Sequence, residues 1–257
     1  MRRWLLLLTG CLIGVAQATP TESPVPVKAY LTLIIDDLGQ NLPRDRRVLA
    51  LPGPVTPSIM PDTRTPPNSP ARPMPPARSS CCTCPWTRPP AFRLASRTAL
   101  DELKTRLAAA FKAVPFTSGI NNHEGSRMTA EPLAMAWLMG ELQRRNKFFV
   151  DSRTSAKTVA AAEAQKIGLA SVSRDVFLDN ERTEPAITAQ LEEAIRLARK
   201  HGSAVVIGHP YPQTLAVLER ELPKLKEQGI DWIDIKSMIA LRGNQASEAH
   251  GKQGIYR

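Results

Sequence analysis

Residues 31–39, LTLIIDDLG, constrain the fold of this chain more than any other stretch. A short apolar run rich in β-branched residues predicts a buried strand. Asp36 and Asp37 end that run, and α/β sheets and barrels place their ligands at the C-terminal ends of their strands. Two adjacent ionised carboxylates repel each other unless a metal ion, a shared proton or an arginine compensates them. The stretch alone is equally consistent with a strand-end Asp that caps the next helix.

The first 18 residues have the pattern of a secretory signal peptide. A basic pair precedes an apolar run over residues 4–15, which ends in the small-x-small site Ala16-Gln17-Ala18. The run is short for a transmembrane span, so we expect a periplasmic or secreted protein with no transmembrane anchor after cleavage. A lipoprotein cleavage box ending at Cys11 is a second interpretation. Residues 19–29 are rich in proline and threonine and predict a linker.

The formal charge of +10 at first suggests a nucleic-acid-binding protein. Two of these positive charges lie in the predicted signal peptide, and six more are arginines between residues 63 and 97. The rest of the chain is close to neutral. We therefore do not expect nucleic acid as a partner.

The sequence pattern changes between residues 63 and 97, where arginine, proline, serine and cysteine dominate and Asp, Glu and Lys are absent. A disordered loop is one interpretation. We favour another, that the segment is translated out of frame, because Cys82–Thr87 can be encoded so that a one-base shift reads Leu-His-Leu-Pro-Met-Asp. The segment also holds three of the four cysteines, whose C-C-x-C spacing does not indicate a zinc site.

Apolar strands alternate with helical segments about six or seven times over residues 30–241, which predicts a parallel α/β sheet or barrel. Several strands end in polar residues, namely Asp36-Asp37, Asn121-Asn122-His123, Asp151-Ser152-Arg153, Asp175 and His209. Polar clusters at the same end of successive strands indicate one site built from strand ends. The polar residues 242–257 are expected to form a disordered tail.

Aspartate and histidine side chains that converge from different strands suit a divalent metal ion, with zinc as the default for mixed nitrogen and oxygen ligands. Such an ion lowers the pKa of a bound water and polarises a carbonyl group. A second carboxylate can act as a base and a more distant histidine as an acid. Together these groups predict hydrolysis of an amide or an ester.

Six motifs in this chain closely resemble, in the same order, the divergent polysaccharide deacetylase family of bacterial envelope proteins: IIDDLG, LALPGPVT, GINNHEGSRMT, FFVDSRT, RDVFLDN and GHPYPQT. The resemblance implies an irregular (β/α) barrel of the polysaccharide deacetylase type and de-N-acetylation of a glycan. It also implies that Asp36 is the general base and His209 the acid. Asp37 and His123 would be metal ligands. The cleft would be lined by Asn121, Asn122, Asp151, Arg153 and Asp175.

The chain departs from the family between LPGPVT and NNH, where members carry a His-x-Pro-Met segment. This chain has Cys82–Trp86 there, so as written it lacks that histidine, and we expect it also to lack a core strand. Three interpretations stay open: a metal-dependent glycan deacetylase, an inactive protein of the same fold that binds a glycan or an envelope protein, and a damaged product that folds poorly.

Overall fold

The computed structural model describes residues 28–61, 81–85, 97–123 and 127–254. The predicted signal peptide, nearly all of the predicted linker and most of segment 63–97 lie outside the described residues. The strands are β1 (Ala29–Leu38), β2 (Thr56–Ile59), β3 (Cys81–Pro85), β4 (Gly119–His123), β5 (Phe148–Asp151), β6 (Ser171–Ser173), β7 (Val176–Phe177), β8 (Ser203–Gly208) and β9 (Ile230–Trp232). The α-helices are α1 (Leu42–Ala50), α2 (Arg97–Ala113), α3 (Pro132–Arg144), α4 (Ala160–Lys166), α5 (Glu184–His201), α6 (Pro212–Glu221) and α7 (Ile235–Gly254), and two 3-10 turns cover Met128–Ala130 and Leu222–Lys224.

Capping residues mark the ends of helices α5 and α1. In α5 the side chain of Thr183 accepts a hydrogen bond from the backbone N–H of Ala186, Pro185 occupies the first turn, and Gly202 ends the helix in a left-handed conformation. In α1 the side chain of Asn41 accepts a hydrogen bond from the N–H of Arg44. Among the described residues, no helix combines the length and apolar character needed to cross a bilayer.

The strands form one sheet in the order β6-β5-β4-β3-β2-β1-β8-β7, and every pairing is parallel. β1 is central: it pairs with β8 along one edge, and with β9 and then β2 along the other. No pairing within the described residues joins β6 to β7, which stand at the two ends of this order. This is the predicted α/β architecture, an irregular β/α barrel whose described ladder is open between β6 and β7.

Alternation along the strands separates two apolar clusters. Leu33 and Ile35 belong to the large cluster that the sheet forms with helices α1 to α6. Ile34 belongs to a smaller cluster on the other face, which α7 covers with Ile235 and Met238. We call these the helix face and the inner face of the sheet. Which face a residue occupies decides whether it can reach the candidate site.

Strand β3 corrects the expectation that the chain lacks a core strand. Residues 81–85 pair with β2 on one side and with β4 on the other, with Thr83 in register with Asn121. A parallel ladder is held by backbone groups, so it can form from a sequence without the usual apolar side chains. The out-of-frame hypothesis for segment 63–97 stays a prediction.

Helix α7 enters segment 242–257, for which the sequence predicted a disordered tail. The helix continues to Gly254. Its side chain at Arg242 donates hydrogen bonds to Ser203 and Asp175 of the sheet region. This tertiary contact ties the helix to the sheet beyond Leu241, where local sequence alone indicates little apolar burial.

Candidate functional site

A β-bulge at the end of β1 brings two neighbouring carboxylates to one site. Successive residues of a regular strand point to opposite faces, so Asp36 and Asp37 would normally be separated. The register with β2 shifts between Ile35 and Leu38, and Asp37 has a positive φ of 59°. Bulges of this kind are common beside active sites, where they redirect a side chain. Backbone strain at Asp37 thus accompanies the meeting of the two carboxylates.

The two carboxylates meet His123, the last residue of β4. Ligand atoms of Asp36, Asp37 and His123 all lie within 4.8 Å of one another. Nδ1 of His123 is 2.9 Å from Oδ1 of Asp37. Asp36 is only 3% exposed. Two acidic groups and one imidazole are thus concentrated at the C-terminal ends of two strands.

Asn121 holds Asp36 in place. Its Nδ2 donates a 2.8 Å hydrogen bond to Oδ2 of Asp36, and its Oδ1 accepts a 2.6 Å bond from the hydroxyl of Ser58 on β2. Asn121 and His123 are two residues apart and therefore share the inner face. The sequence predicted Asn121 as a cleft residue, and the structure places it against Asp36. Ser58 was not anticipated, since nothing in the local pattern marks it.

His209 follows β8 and lies beside the same carboxylates, with its Nε2 3.8 Å from Oδ2 of Asp37. Its other ring nitrogen, Nδ1, is 2.8 Å from Oδ1 of Asp179. Asp179 also accepts hydrogen bonds from the backbone N–H of His209 at 2.6 Å and from the hydroxyl of Thr214 at 2.8 Å. Asp179 is 4% exposed, so all three bonds lie in a water-poor environment.

Two opposing effects act on the pKa of His209. Burial disfavours the charged imidazolium and lowers the pKa, whereas the hydrogen bond to Asp179 and the charges of Asp179, Asp36 and Asp37 raise it. The net result is a pKa above the ordinary value for histidine. Sequence reasoning missed Asp179 as a functional residue, although it stands in the quoted motif RDVFLDN, two residues after the end of β7.

Two predicted cleft residues lie on the other face of the sheet. Asn122 and Asp151 have the same alternation as Ile120 and Phe149, which pack in the helix-face cluster. Asn122 Oδ1 accepts a hydrogen bond from the N–H of Ser152, and Asp151 accepts bonds from the N–H of Arg153 and the hydroxyl of Thr158. These side chains organise the loop after β5 instead of joining the carboxylates. The chain turns back on itself between β5 and α4, with the hydroxyl of Thr158 bonded to Asp151.

Arg153 is exposed and has a positive φ of 49° in this turn. Asp175 lies elsewhere, against the middle of β8, where it accepts hydrogen bonds from the backbone N–H of Val205 and from the guanidinium of Arg242. We expected Asp175 to line the cleft, and the structure corrects this placement. The physical reason is that the guanidinium of Arg242, 67 residues further along the chain, forms an ion pair with Asp175 and holds it there.

Comparison with known proteins identifies the class to which this barrel and its strand-end site belong. The family model described as "Divergent polysaccharide deacetylase" matches residues 33–239. The chain therefore belongs to the divergent polysaccharide deacetylase family, as its six motifs indicated.

Two individual proteins are similar to most of this chain. The chain is similar to YibQ, an uncharacterized protein of Escherichia coli K12, with 33% identity over 215 residues that cover 77% of this chain and 64% of YibQ. The chain thus spans less than two thirds of the length of that relative. It is also similar to an uncharacterized protein of Haemophilus influenzae, with 34% identity over 207 residues that cover 78% of this chain and 73% of that protein.

A solved structure shares the fold. The uncharacterized protein ATU2773 from Agrobacterium tumefaciens C58 superposes with a TM-score of 0.70 at 20% sequence identity, covering 84% of this chain and 91% of that chain. At this level of identity the likeness concerns the architecture of the barrel.

Proposed function

We propose that the protein is a metal-dependent hydrolase of the bacterial envelope that removes N-acetyl groups from a glycan. The observation that carries this proposal is the meeting of Asp36, Asp37 and His123 within 4.8 Å at the strand ends, with His209 beside them. The glycan substrate is proposed from membership of the family. A periplasmic location is proposed from the signal-peptide pattern of residues 1–18.

The residues present fit a divalent metal ion. Oδ1 of Asp37 is buried and receives no hydrogen bond from the described residues, although Nδ1 of His123 is 2.9 Å away. A buried carboxylate oxygen without a donor is unfavourable unless a cation compensates it. Carboxylate and imidazole donors together suit zinc, and catalytic zinc sites keep a position open for water. Asp37 and His123 would hold the ion, and Asp36 lies within reach of it.

In this proposal the other side chains transfer protons. A zinc ion here would lower the pKa of a bound water and polarise the acyl carbonyl group. Asp36, oriented by Asn121, would accept a proton from the attacking water. His209 would donate a proton to the departing amine, for which its raised pKa is suited. Asp179 would keep the proton of the neutral imidazole on Nδ1, or stabilise the imidazolium.

Metal content and acetate release test this proposal. We expect about one zinc ion per purified chain, as for a single catalytic site, and release of acetate from chitotetraose. The Asp37→Asn substitution should abolish both metal uptake and acetate release. The matched substitution Asp231→Asn, at an exposed position of β9, should leave both unchanged. Metal binding by Asp37→Asn equal to that of the parent chain would contradict the proposed site.

A second candidate function is glycan binding without hydrolysis. The observation that favours it is that β3 reads Cys-Cys-Thr-Cys-Pro and supplies no histidine next to Asn121. Binding of chitotetraose with neither bound metal nor acetate release would support this alternative.

Sequencing the coding DNA for residues 59–103 decides whether segment 63–97 is genuine or is translated out of frame. A reading frame with His-Leu-Pro-Met would make the repaired chain the one to assay.

A further inference from the structure

Four charged and aromatic side chains form a continuous row with His209. The guanidinium of Arg174 lies 3.9 Å from the ring centre of Phe177, and that ring stacks on His209 with centroids 6.1 Å apart. On the other side of the row, the ring of Tyr211 is 5.5 Å from His209, and the guanidinium of Arg182 lies 3.9 Å from the centre of Tyr211. Phe177 and Tyr211 contact His209 but make no ring contact with each other. We call this row the cation–aromatic ladder.

The two arginines at the ends of the ladder have no acidic partner among the described residues. Arg174 donates hydrogen bonds to the backbone carbonyls of Ser152 and Arg153, and Arg182 donates to the hydroxyl of Tyr211. Neither guanidinium lies within salt-bridge distance of a described carboxylate. Other described arginines do pair with carboxylates: Arg47 with Glu219, for example, and Arg220 with Glu184. The ladder therefore carries two guanidinium groups that no described carboxylate contacts directly, beside the candidate acid.

Stacking prepares these arginines to bind an anion. A guanidinium held against an aromatic ring loses little further freedom when it binds, and its unused N–H groups can donate to a carboxylate or phosphate. Nη1 of Arg174 has no hydrogen-bond acceptor among the described residues. Arg182 is exposed and Arg174 is half-buried, so both face an accessible part of the molecule. Burial and the nearby charge of Arg153 lower the pKa of Arg174, the charges of Asp151 and Asp175 oppose this shift, and a bound anion would oppose it further.

We propose that the cation–aromatic ladder recognises anionic groups of the substrate, so that the protein acts on an acidic glycan with carboxylate or phosphate groups on the sugars near the acetylated one. This inference rests on the proposed function for the position of the acetylated sugar. The arginines bind the charged substituents, and the aromatic rings against which they lie hold them in position. A neutral glycan would leave both guanidinium groups without an anion.

Binding of tetrasaccharides to the chelator-treated full chain tests the inference without turnover. Isothermal titration compares neutral chitotetraose with a hyaluronan tetrasaccharide, which carries carboxylates, and with phosphorylated chitotetraose. Because acetate release is not measured, a failure of the proposed hydrolysis does not affect this result. Variants Arg174→Gln and Arg182→Gln remove one charge each. The control Arg199→Gln removes the same charge from α5, where the guanidinium donates to the carbonyl of Gln228.

We expect at least one anionic tetrasaccharide to bind about tenfold more tightly than chitotetraose, as a hydrogen bond to a charged group allows. Preference for the carboxylated or for the phosphorylated probe identifies the source of the anion. Arg174→Gln and Arg182→Gln should each weaken anionic binding about tenfold and leave chitotetraose binding unchanged. Arg199→Gln should change neither.

Three results would overturn the inference. Equal affinity of the parent chain for the neutral and anionic probes would show that charge is not recognised. Equal loss of neutral and anionic binding in the two ladder variants would show that the arginines only support the geometry around His209. Absence of binding by all three probes would also exclude the proposed ligand class.

Discussion

Removal of the Asp179 carboxylate should strongly destabilise the protein. In Asp179→Ala, three donors lose their acceptor: Nδ1 of His209, the backbone N–H of His209 and the hydroxyl of Thr214. Each buried polar group left unsatisfied costs about 1–3 kcal/mol, and breaking a buried charged pair costs about 3–5 kcal/mol. Because the three donors share one acceptor, their losses are not additive, and we expect a loss of about 3–5 kcal/mol in the free energy of unfolding.

Asp179→Asn separates packing from charge. The amide fills nearly the same volume, and its oxygen can accept the bonds from the backbone N–H of His209 and from Thr214. Its NH₂ group then faces Nδ1 of His209, which can accept this bond only when it is unprotonated. Asp179→Asn should therefore be less destabilising than Asp179→Ala, and should lower the pKa of His209.

The dependence of stability on pH follows from the raised pKa of His209 in the folded state. Protonation of His209 stabilises the fold fully below its unfolded pKa of about 6.5, and this contribution is lost as the pH rises through the folded pKa. Urea unfolding with a metal chelator present, from about pH 5.5 to about pH 8.5, measures the slope. Asp179→Asn should flatten it.

The matched control is Asp231→Asn, an exposed carboxylate that makes no bond to His209. It should reproduce both the stability and the pH slope of the parent chain. Two outcomes would refute the reasoning: an Asp179→Ala variant within about 1 kcal/mol of the parent, or a pH slope that Asp179→Asn leaves unchanged.

Three further substitutions test other parts of the structure. Thr83→His places an imidazole at the β3 position in register with Asn121, so zinc affinity measured by competition with a chelator should rise; no gain would show that position 83 cannot reach the site. Gly119→Ala puts a Cβ 2.2 Å from the ring of Phe148, so urea unfolding should show a loss of about 1–3 kcal/mol; an unchanged midpoint would contradict the packing at β4 and β5. Asp234→Ala removes the acceptor for the N–H groups of Lys236 and Ser237, so the free energy of unfolding should fall by about 1 kcal/mol at pH 7. Asp234→Asn keeps an acceptor oxygen and should retain much of this stability. Because the pKa of Asp234 is lowered in the folded state, its carboxylate stabilises the protein fully above the unfolded pKa, and this stabilisation is lost as the pH falls through the folded pKa. A stability difference between Asp234→Ala and the parent chain that does not change with pH would contradict the capping role.

Local sequence was sufficient for most of the barrel. The apolar run before Asp36 and the run over Ser203–Gly208 are buried strands, as their β-branched composition predicts. Helix α5 was predictable because its amphipathic pattern is flanked by Thr183 and Gly202, which cap its ends. The polar strand ends were also predictable as a group, since parallel strands bring their C-terminal ends to one edge.

Local sequence was insufficient where a contact joins distant parts of the chain. Asp179 and His209 are 30 residues apart, and only the pairing of β7 with β8 brings their surroundings together. Helix α7 extends beyond Leu241 and carries Arg242, which compensates the charge of Asp175. Residues 81–85 join the sheet because β2 and β4 offer backbone partners on both sides.

The sequence by itself determined the alternation of strands and helices, the family and the identity of the polar residues at the strand ends. Tertiary structure decided which of those residues meet. Asn121 and His123 reach Asp36 and Asp37, whereas Asn122 and Asp151 turn to the helix face, because side chains alternate along a strand. Asp37 joins Asp36 only through the bulge opposite β2, since a bulge depends on the register between two strands and not on either strand alone.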